Sequence, residues 1–477
     1  MRLHKIILQL SEKDYLLFSN QLKENKADKF HHLLNSYREQ KLSEAELLKK
    51  LEIKKPAFYT LKSRLYDKVQ EFLYQNTSDT RVELLQNVAN IEHLIYKTPR
   101  ETAIGILKKL ELELIEHDMP NELIDVYKAL KKLHINSPKY FEYSQLYNKY
   151  VAFYLAQDKA AETLSLFCKT QSEYFLTKKT ELLDYLILYK KEMQNICRLY
   201  KSHHLQLFKN ILSLHFALFS PIEDEMKDDP TVEGMLNESI EIIDKHPEDR
   251  IYKHIHDIID FLQFEYHHRL NSHKNAGKYF EKIRHKTSAL LLFNHFSFVS
   301  HFLYSKVEFF LTDQKEAVLI DEEEIQFHEP HMEDVTDYIM FNCYKAIAEF
   351  YASKYIASLQ TFNKLLNEIS FKNMPYPEIE IKSMVALLYI LLGKKEQSEA
   401  YIRSASRKIA DEKDDIKYAS ASAFLKILKT AASIKTSGKY KKLAEQYDHF
   451  NSINDGSYSF LKYLKLDSTT LQLLSKY

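Results

Sequence analysis

The stretch KSMVALLYILLGKKEQSEAYIRSAS, residues 382–406, decides the fold of this chain. Its apolar residues recur at the spacing of two amphipathic helices, which a turn at Gly393 would join. Small side chains stand where two helices must approach closely, and bulky ones stand where they fill the space between neighbours. The positions that carry this pattern are Ala386, Tyr389, Ser398, Ile402 and Ala405. The stretch therefore predicts an antiparallel pair of helices.

This pattern resembles that of a tetratricopeptide repeat. Forty residues earlier, the stretch SKYIASLQTFNKLL, residues 353–366, repeats its second half, with Tyr355, Ser358, Phe362 and Leu365 in register. The first helix of that earlier copy departs from the pattern, because Lys345 stands where a leucine belongs. The step also exceeds the usual period of about 34 residues. The resemblance covers residues 340–410 and implies a superhelix of antiparallel helix pairs, each buried mainly by its neighbours.

Glycine is scarce, with six in 477 residues and none within six residues of another. A P-loop, a dinucleotide-binding GxGxxG turn, a kinase glycine-rich loop and a GxSxG nucleophile elbow each need closely spaced glycines. These nucleotide-binding and hydrolase motifs are therefore excluded. The same scarcity disfavours β-hairpin turns. The sequence predicts an all-α protein, in which a small helical bundle precedes a helical-repeat superhelix.

Two polar segments suggest domain boundaries in a chain that is too long for one ordinary hydrophobic core. The segments are QNTSDTR, residues 75–81, and SPIEDEMKDDPTVEG, residues 220–234. They divide the chain into an N-terminal helical domain at 1–80, an array of helical hairpins at 81–220 and a helical-repeat array at 221–477.

Charge and hydropathy limit the partners that the whole chain can attract. The 67 basic and 67 acidic residues cancel, which argues against a general attraction to nucleic acid or to an anionic membrane. A second acidic connection, residues 313–337, holds ten acidic residues and one lysine, and is either a solvated loop or a docking strip for a basic partner. No stretch approaches eighteen apolar residues. We therefore expect a cytoplasmic protein without membrane association.

The residue types that carry chemistry form no recognisable constellation. Cys168, Cys197 and Cys343 are widely spaced, which favours reduced thiols over disulfides. Possible metal ligands are His254 with Asp257, Glu265 with His268, and the cluster His328, Glu329 and His331. Such pairs arise by chance among 21 histidines and 67 acidic residues, and no HExxH motif is present. We expect no metal, no cofactor and no catalytic residue.

The N-terminal stretch LSEAELLKKLEIKKPAFYTLKSRLYDKVQEFL, residues 42–73, resembles a helix-turn-helix. The capping-box pattern of Ser43 and Glu46 starts its first helix, and Pro56 suits the first turn of its second. Its inner face would hold Leu47, Leu48, Leu51, Ile53, Phe58, Leu61 and Leu65. The resemblance implies that other side chains are available to a DNA groove. These are Lys54, Lys55, Tyr59, Lys62 and Ser63.

Charge supports DNA binding by this stretch, whereas the turn chemistry does not. Residues 41–70 contain eight basic and four acidic residues. The turn position that glycine usually holds is Glu52, which lacks the backbone freedom of glycine and brings a negative charge near phosphate. A plain helical bundle and a DNA-binding domain therefore both stay open for residues 42–73.

The expected function is binding of another protein or a peptide by the repeat array, without catalysis. A helix or an extended segment would dock on the concave face. In the clearest repeat, the candidates for exposed partner contacts are Lys382, Met384, Lys394 and Lys395. The alternative is a transcriptional regulator, in which residues 42–73 bind DNA and the repeat array senses a peptide or dimerises.

Overall fold

The computed structural model describes most of the chain as helices. The described residues are 3, 6–7, 10, 12–25, 27–39, 44–51, 53–75, 80–221, 230–247, 249–284, 299–313, 330–414, 416–433, 438–454 and 459–476. They form 22 α-helices and one 3-10 helix, and none of them lies in a strand. The predicted all-α class is confirmed. Several sequence features lie outside the described residues: the cap residue Ser43, the turn residue Glu52, the possible ligands His328 and Glu329, and most of both acidic connections.

The chain divides into two compact units, residues 1–151 and 152–477. The helices of the first unit are α1 (Glu12–Glu24), α2 (Asp28–Glu39), α3 (Glu44–Lys50), α4 (Lys55–Gln75), α5 (Thr80–Ala89), α6 (Ile91–Lys97), α7 (Arg100–Glu116) and α8 (Pro120–Leu133). The division falls inside the long helix α9 (Lys139–Thr177). It differs from the predicted ranges 1–80, 81–220 and 221–477, which stay predictions.

The second unit contains the remaining helices. They are α10 (Glu181–Leu199), α11 (His203–Phe219), α12 (Val232–Lys245), α13 (Arg250–Arg269), α14 (His273–Ile283), α15 (Val299–Asp313), α16 (Val335–Tyr351), α17 (Tyr355–Glu368), α18 (Pro375–Leu391), α19 (Lys395–Glu412), α20 (Ala419–Ala432), α21 (Lys439–Ile453), the 3-10 helix Phe460–Tyr463 and α22 (Ser468–Lys476). Most of them pack on the next helix along the chain, and α18 also packs on α20. Every helix of residues 335–453 thus contacts its neighbours in sequence, as the arrangement of a helical-repeat array requires.

The N-terminal bundle has its own core. Helices α3 and α4 lie where the helix-turn-helix resemblance places its two helices, and Pro56 is in the first turn of α4. Of the predicted inner face, Leu47, Leu51, Phe58 and Leu65 are buried, and Leu48, Ile53 and Leu61 are partly buried. Residues 84–150 build a separate core around α7 and α8. The bundle therefore buries its apolar face within residues 3–72.

Two helix pairs, α16 with α17 and α18 with α19, repeat each other at a step of forty residues. The hydroxyl of Ser358 donates to the carbonyl of Ala346 at 2.7 Å, and that of Ser398 donates to the carbonyl of Ala386 at 3.0 Å. Both serines are fully buried. A small side chain at each position lets the two helices approach closely enough for this bond. The small-residue pattern of the sequence therefore corresponds to a specific contact in both pairs.

Four helix pairs share one turn, in which a single residue adopts the left-handed conformation. That residue is Asp118 after α7, Asn271 after α13, Ser353 after α16 and Gly393 after α18. In each turn the amide of this residue donates to the carbonyl three positions before it. The amide of the following residue donates to the carbonyl five positions before itself, as Lys394 does to Tyr389. This is the Schellman arrangement, which satisfies the last carbonyls of a helix. Only one of the four turns uses glycine.

The equivalent turn positions Ser353 and Gly393 allow a reciprocal test. A left-handed residue with a Cβ atom is strained by about 1 kcal/mol. We expect Ser353→Gly to raise the free energy of unfolding by about 0.5–1 kcal/mol, and Gly393→Ser to lower it by about 1 kcal/mol. Urea denaturation of the two full-length variants measures both changes. Shifts of the same sign would show that the two turns are not equivalent.

None of the described helices is both long enough and apolar enough to cross a membrane.

Candidate functional sites

The exposed face of α4 carries most of the residues predicted to meet DNA. Lys54, Lys55, Tyr59 and Ser63 are exposed, and Tyr59 keeps 51% of its surface accessible. The turn and the first half of α4 thus present basic and polar side chains, because the apolar ones point into the bundle core. This placement is the one that a recognition helix needs.

Lys62 differs from the other predicted DNA contacts because it is partly buried. Its ammonium lies 5.5 Å from the ring centre of Phe58, 5.7 Å from that of Tyr59 and 5.9 Å from that of Tyr37. A cation over aromatic rings is held electrostatically. Lys62 therefore contributes to the packing of the bundle, and its charge lies beside the exposed ring of Tyr59.

The four residues predicted as partner contacts in the clearest repeat do not form one surface. Met384 is 2% exposed, so the expectation that it is exposed is wrong. Helix α18 packs on α17, α19 and α20, and this leaves Met384 no side open to solvent. Lys382 is partly buried and donates to Glu378 at 2.6 Å and to Ser404 at 3.0 Å. Only Lys394 and Lys395, at the turn, are exposed.

The C-terminal segment, residues 459–466, lies against helices that begin consecutive pairs. We call the surface formed by α16, α18 and α20 the first-helix face. The segment's 3-10 helix packs on α18, α20 and also α15. The segment is held by Glu380 of α18, whose carboxylate accepts a hydrogen bond from the Ser459 hydroxyl and another from the Phe460 amide at 2.8 Å. A stretch of about eight residues thus crosses the first-helix face.

Two tyrosine hydroxyls hold the backbone further along the segment. The hydroxyl of Tyr351 donates to the carbonyl of Tyr463 at 2.7 Å and accepts from the amide of Lys465 at 2.8 Å. The hydroxyl of Tyr447 accepts from the amide of Leu466 at 2.9 Å. These contacts satisfy backbone groups that regular secondary structure would otherwise satisfy.

Aromatic rings complete the contact. The ring of Tyr304 lies 5.9 Å from that of Phe460 and 4.8 Å from that of Tyr463. The Tyr304 hydroxyl donates to the carbonyl of Met340 at 2.7 Å, which fixes the ring on α16. Phe175 joins these residues around a cavity of about 10 Å³. This volume holds about one water molecule.

The carboxylate at the centre of this contact is strongly perturbed. Burial raises the pKa of Glu380 to about 7, although Ser459, the Phe460 amide and the charge of Lys178 act to lower it. Burial likewise lowers the pKa of Lys178 to about 8, while the charge of Glu380 acts to raise it. Perturbed groups of this kind are frequent at functional sites. The neighbouring cavity has no room for a substrate, so the arrangement suits binding of the segment better than acid or base catalysis.

The sequence contains little sign of this contact. Its members Lys178, Glu380 and Ser459 are separated by 202 and 79 positions, and periodicity reports only neighbours within a helix. One signal was available. Glu380 stands between Ile379 and Ile381, shortly before the apolar run of residues 384–391, where a carboxylate is expected to need partners from elsewhere in the fold.

Among the described residues, one group of possible metal ligands lies close together within one of the two compact units. Atoms of His256, Asp257 and Asp260 lie within 4.8 Å of one another. Asp260 already accepts a hydrogen bond from the Lys282 ammonium at 2.8 Å and lies 3.4 Å from His256. The Lys282 ammonium therefore already occupies one carboxylate oxygen that a metal ion would need. In the described part of the chain, no third ligand atom joins Glu265 and His268, and His254 is exposed outside the group.

These features define an all-α helical-repeat protein with two candidate sites: the exposed face of α4 and the first-helix face with its bound segment. No protein-family model, curated protein or solved structure matches this chain. Its function therefore has to follow from its own contacts.

Proposed function

We propose that this protein is a non-enzymatic scaffold of the tetratricopeptide-like type, which binds a segment of another protein. One observation supports the proposal most strongly: the first-helix face already holds a stretch of polypeptide that contains one 3-10 turn. The face binds it with the carboxylate of Glu380 and the hydroxyl of Tyr351, and the neighbouring helices α21 and α15 add the hydroxyl of Tyr447 and the ring of Tyr304. A face with these groups has the means to bind a peptide backbone and to distinguish its side chains.

The exposed lysines at the turn between α18 and α19 would orient the partner. Lys394 and Lys395 lie at the turn that joins the two helices of this pair, and Glu380 is on the first of these helices. Charges at the rim of an interface steer association more than they add affinity. The proposed location is the cytoplasm, because all three cysteines are free thiols and such thiols persist in a reducing compartment.

Charge reversal at the turn tests this proposal. We expect the double variant Lys394→Glu and Lys395→Glu to capture its partner from a lysate about tenfold less efficiently than the wild type, because rim charges set the association rate. Quantitative mass spectrometry of captured proteins measures the change. The control variant carries Lys441→Glu and Lys442→Glu, an equally exposed lysine pair on α21. Equal capture by the wild type and both variants would exclude these turn lysines from partner binding.

A second candidate function is DNA binding by the N-terminal bundle, with the repeat array as its sensing or dimerisation part. The observation that favours it is the exposure of Lys54, Lys55, Tyr59 and Ser63 on one helix and its preceding turn. Phosphate contacts would come from the lysines, and contacts to base edges from the tyrosine and the serine.

Removing two exposed basic residues at the start of α4 tests this second function. We expect the double variant Lys54→Ala and Lys55→Ala to bind mixed genomic fragments more weakly, and Lys62 is left in place because it packs in the bundle. Each lost phosphate contact lowers the salt dependence of log K by about 0.9. Mobility shifts at low and physiological salt measure both effects, with Lys441→Ala and Lys442→Ala as the matched control. If the wild type causes no shift even at low salt, DNA binding is excluded.

A further inference from the structure

The C-terminal segment is buried on the first-helix face as a partner peptide would be. Its buried residues are Ser459, Phe460, Leu461, Tyr463, Leu464 and Leu466. Lys465, between two of them, is exposed. A segment of the chain itself therefore covers the first-helix face, which is the surface proposed to bind a partner.

Most polar contacts of the segment are made to its backbone and do not depend on sequence. The amides of Phe460, Lys465 and Leu466 donate, and the carbonyl of Tyr463 accepts. Any peptide that forms the same single 3-10 turn could make these four contacts. The face would thus accept a foreign segment without rearranging its hydrogen-bonding groups.

Four side chains of the segment supply the specificity. The Ser459 hydroxyl donates to Glu380, the rings of Phe460 and Tyr463 pack on Tyr304, and Leu461 is fully buried. The required pattern is a hydroxyl side chain, an aromatic one, an apolar one, any residue, and a second aromatic one. Aromatic residues that fill a buried position are the usual anchors of an interface.

The carboxylate that binds the segment also adds a cost to the bound state. Glu380 is 1% exposed and is covered by Ser459 and Phe460. Removing its charge from water costs energy that an apolar surface would not cost. When the segment leaves, water can hydrate this carboxylate again. Replacement of the segment is therefore easier than its apolar burial alone would suggest.

We propose that residues 459–466 are an exchangeable ligand of the first-helix face, and that the partner is a protein segment with the same hydroxyl–aromatic–apolar–x–aromatic pattern. This inference rests on the proposed scaffold function and specifies its partner. The partner segment would bind by displacing the chain's own segment.

A labelled peptide tests the exchange in the full-length protein. The peptide is SYSFLKYLKLDS, residues 457–468, and its binding is measured by fluorescence anisotropy. The variant Ser459→Ala with Phe460→Ala weakens the internal competitor and leaves the face intact. We expect this variant to bind the peptide at least about tenfold more tightly than the wild type, because apparent affinity rises with the fraction of open face. The control Phe141→Ala removes an exposed ring elsewhere and should bind like the wild type.

Three results would overturn the exchange. The first is a folded double variant that does not bind the peptide, because the segment would then be a permanent part of the core. The second is equal affinity of the wild type and the double variant for the peptide. The third is that a peptide without both aromatic residues binds the double variant as tightly as the original peptide does. Each of these results leaves the scaffold function to the separate capture experiment with Lys394 and Lys395.

Hydrogen exchange in the wild type decides the case in which the double variant fails to fold. We expect the amides of Phe460 and Leu466 to exchange at least about tenfold faster than the amides of α18, through an opening that leaves α18 folded. Exchange of both sets at the same slow, global rate would contradict the proposal.

Discussion

We expect Glu380→Ala to lower the free energy of unfolding by about 3–5 kcal/mol, because it leaves two buried hydrogen-bond donors without an acceptor. The substitution deletes the acceptor of the Phe460 amide and of the Ser459 hydroxyl. It also removes the negative charge that acts on the partly buried Lys178. The hydrogen-bond donors stay in a region from which water is excluded. Urea denaturation of the full-length protein at pH 7.5 measures the loss.

The same helix provides a matched control for this prediction. Glu378, two residues earlier, binds Lys382 at 2.6 Å and Lys408 at 3.1 Å. These lysines retain contact with solvent, so Glu378→Ala should cost about 1 kcal/mol or less. If the two substitutions destabilise the protein equally, then Glu380 does not act as a buried anchor of the C-terminal segment.

The helices were largely predictable from the sequence, because their signals are local. The small-residue pattern around Ser358 and Ser398 depends on contacts between helices that adjoin in sequence. The turns were harder to predict. Glycine marks only the turn at Gly393, whereas Asp118 and Asn271 adopt the same left-handed conformation with ordinary side chains. Asp and Asn tolerate that conformation better than most residues, but neither is a specific signal for it.

The first-helix face was less predictable than the helices, because the burial of its residues depends on several elements that pack on it. Helical periodicity assigns an exposed face to every amphipathic helix. Helix α18 is covered by its neighbours and by the C-terminal segment, so Met384 is buried where the sequence predicted exposure. Glu380 is buried for the same reason. In a repeat array, the exposure of a helix depends on the segments that pack across it. For α18 one such segment is residues 459–466, which are far from it in the sequence.

A second large effect is expected from Glu265, which is a buried residue of α13. Glu265 is 2% exposed, and its Oε1 atom has no hydrogen-bond partner among the described residues. Its other oxygen lies 3.6 Å from Nε of Arg269, too far for a strong bond. Burial therefore raises the pKa of Glu265 to about 7, although the Arg269 charge acts to lower it. The folded protein holds this proton over a range in which the unfolded chain has released it.

This difference in proton binding sets the sign of the pH dependence. Between about pH 4.5 and pH 7 the folded state binds more protons at this site, so the stability contributed by Glu265 is lost as the pH rises. Glu265→Gln removes the titration and keeps the shape. Relative to the wild type, we expect this variant to gain about 3 kcal/mol in free energy of unfolding between pH 4 and pH 8. The variant-minus-wild-type difference cancels the opposite contribution of His301, whose pKa burial lowers to about 3.

Urea denaturation at five pH values from 4 to 8 measures this difference. Glu396→Gln, at an exposed position of α19, controls for the change in net charge. A difference between Glu265→Gln and wild type that stays constant across the range would mean that Glu265 is hydrated or paired in the folded protein. A rising difference would show that a buried carboxyl group limits stability near neutral pH, because Arg269 and Ser305 offset only part of the cost of burying its charge.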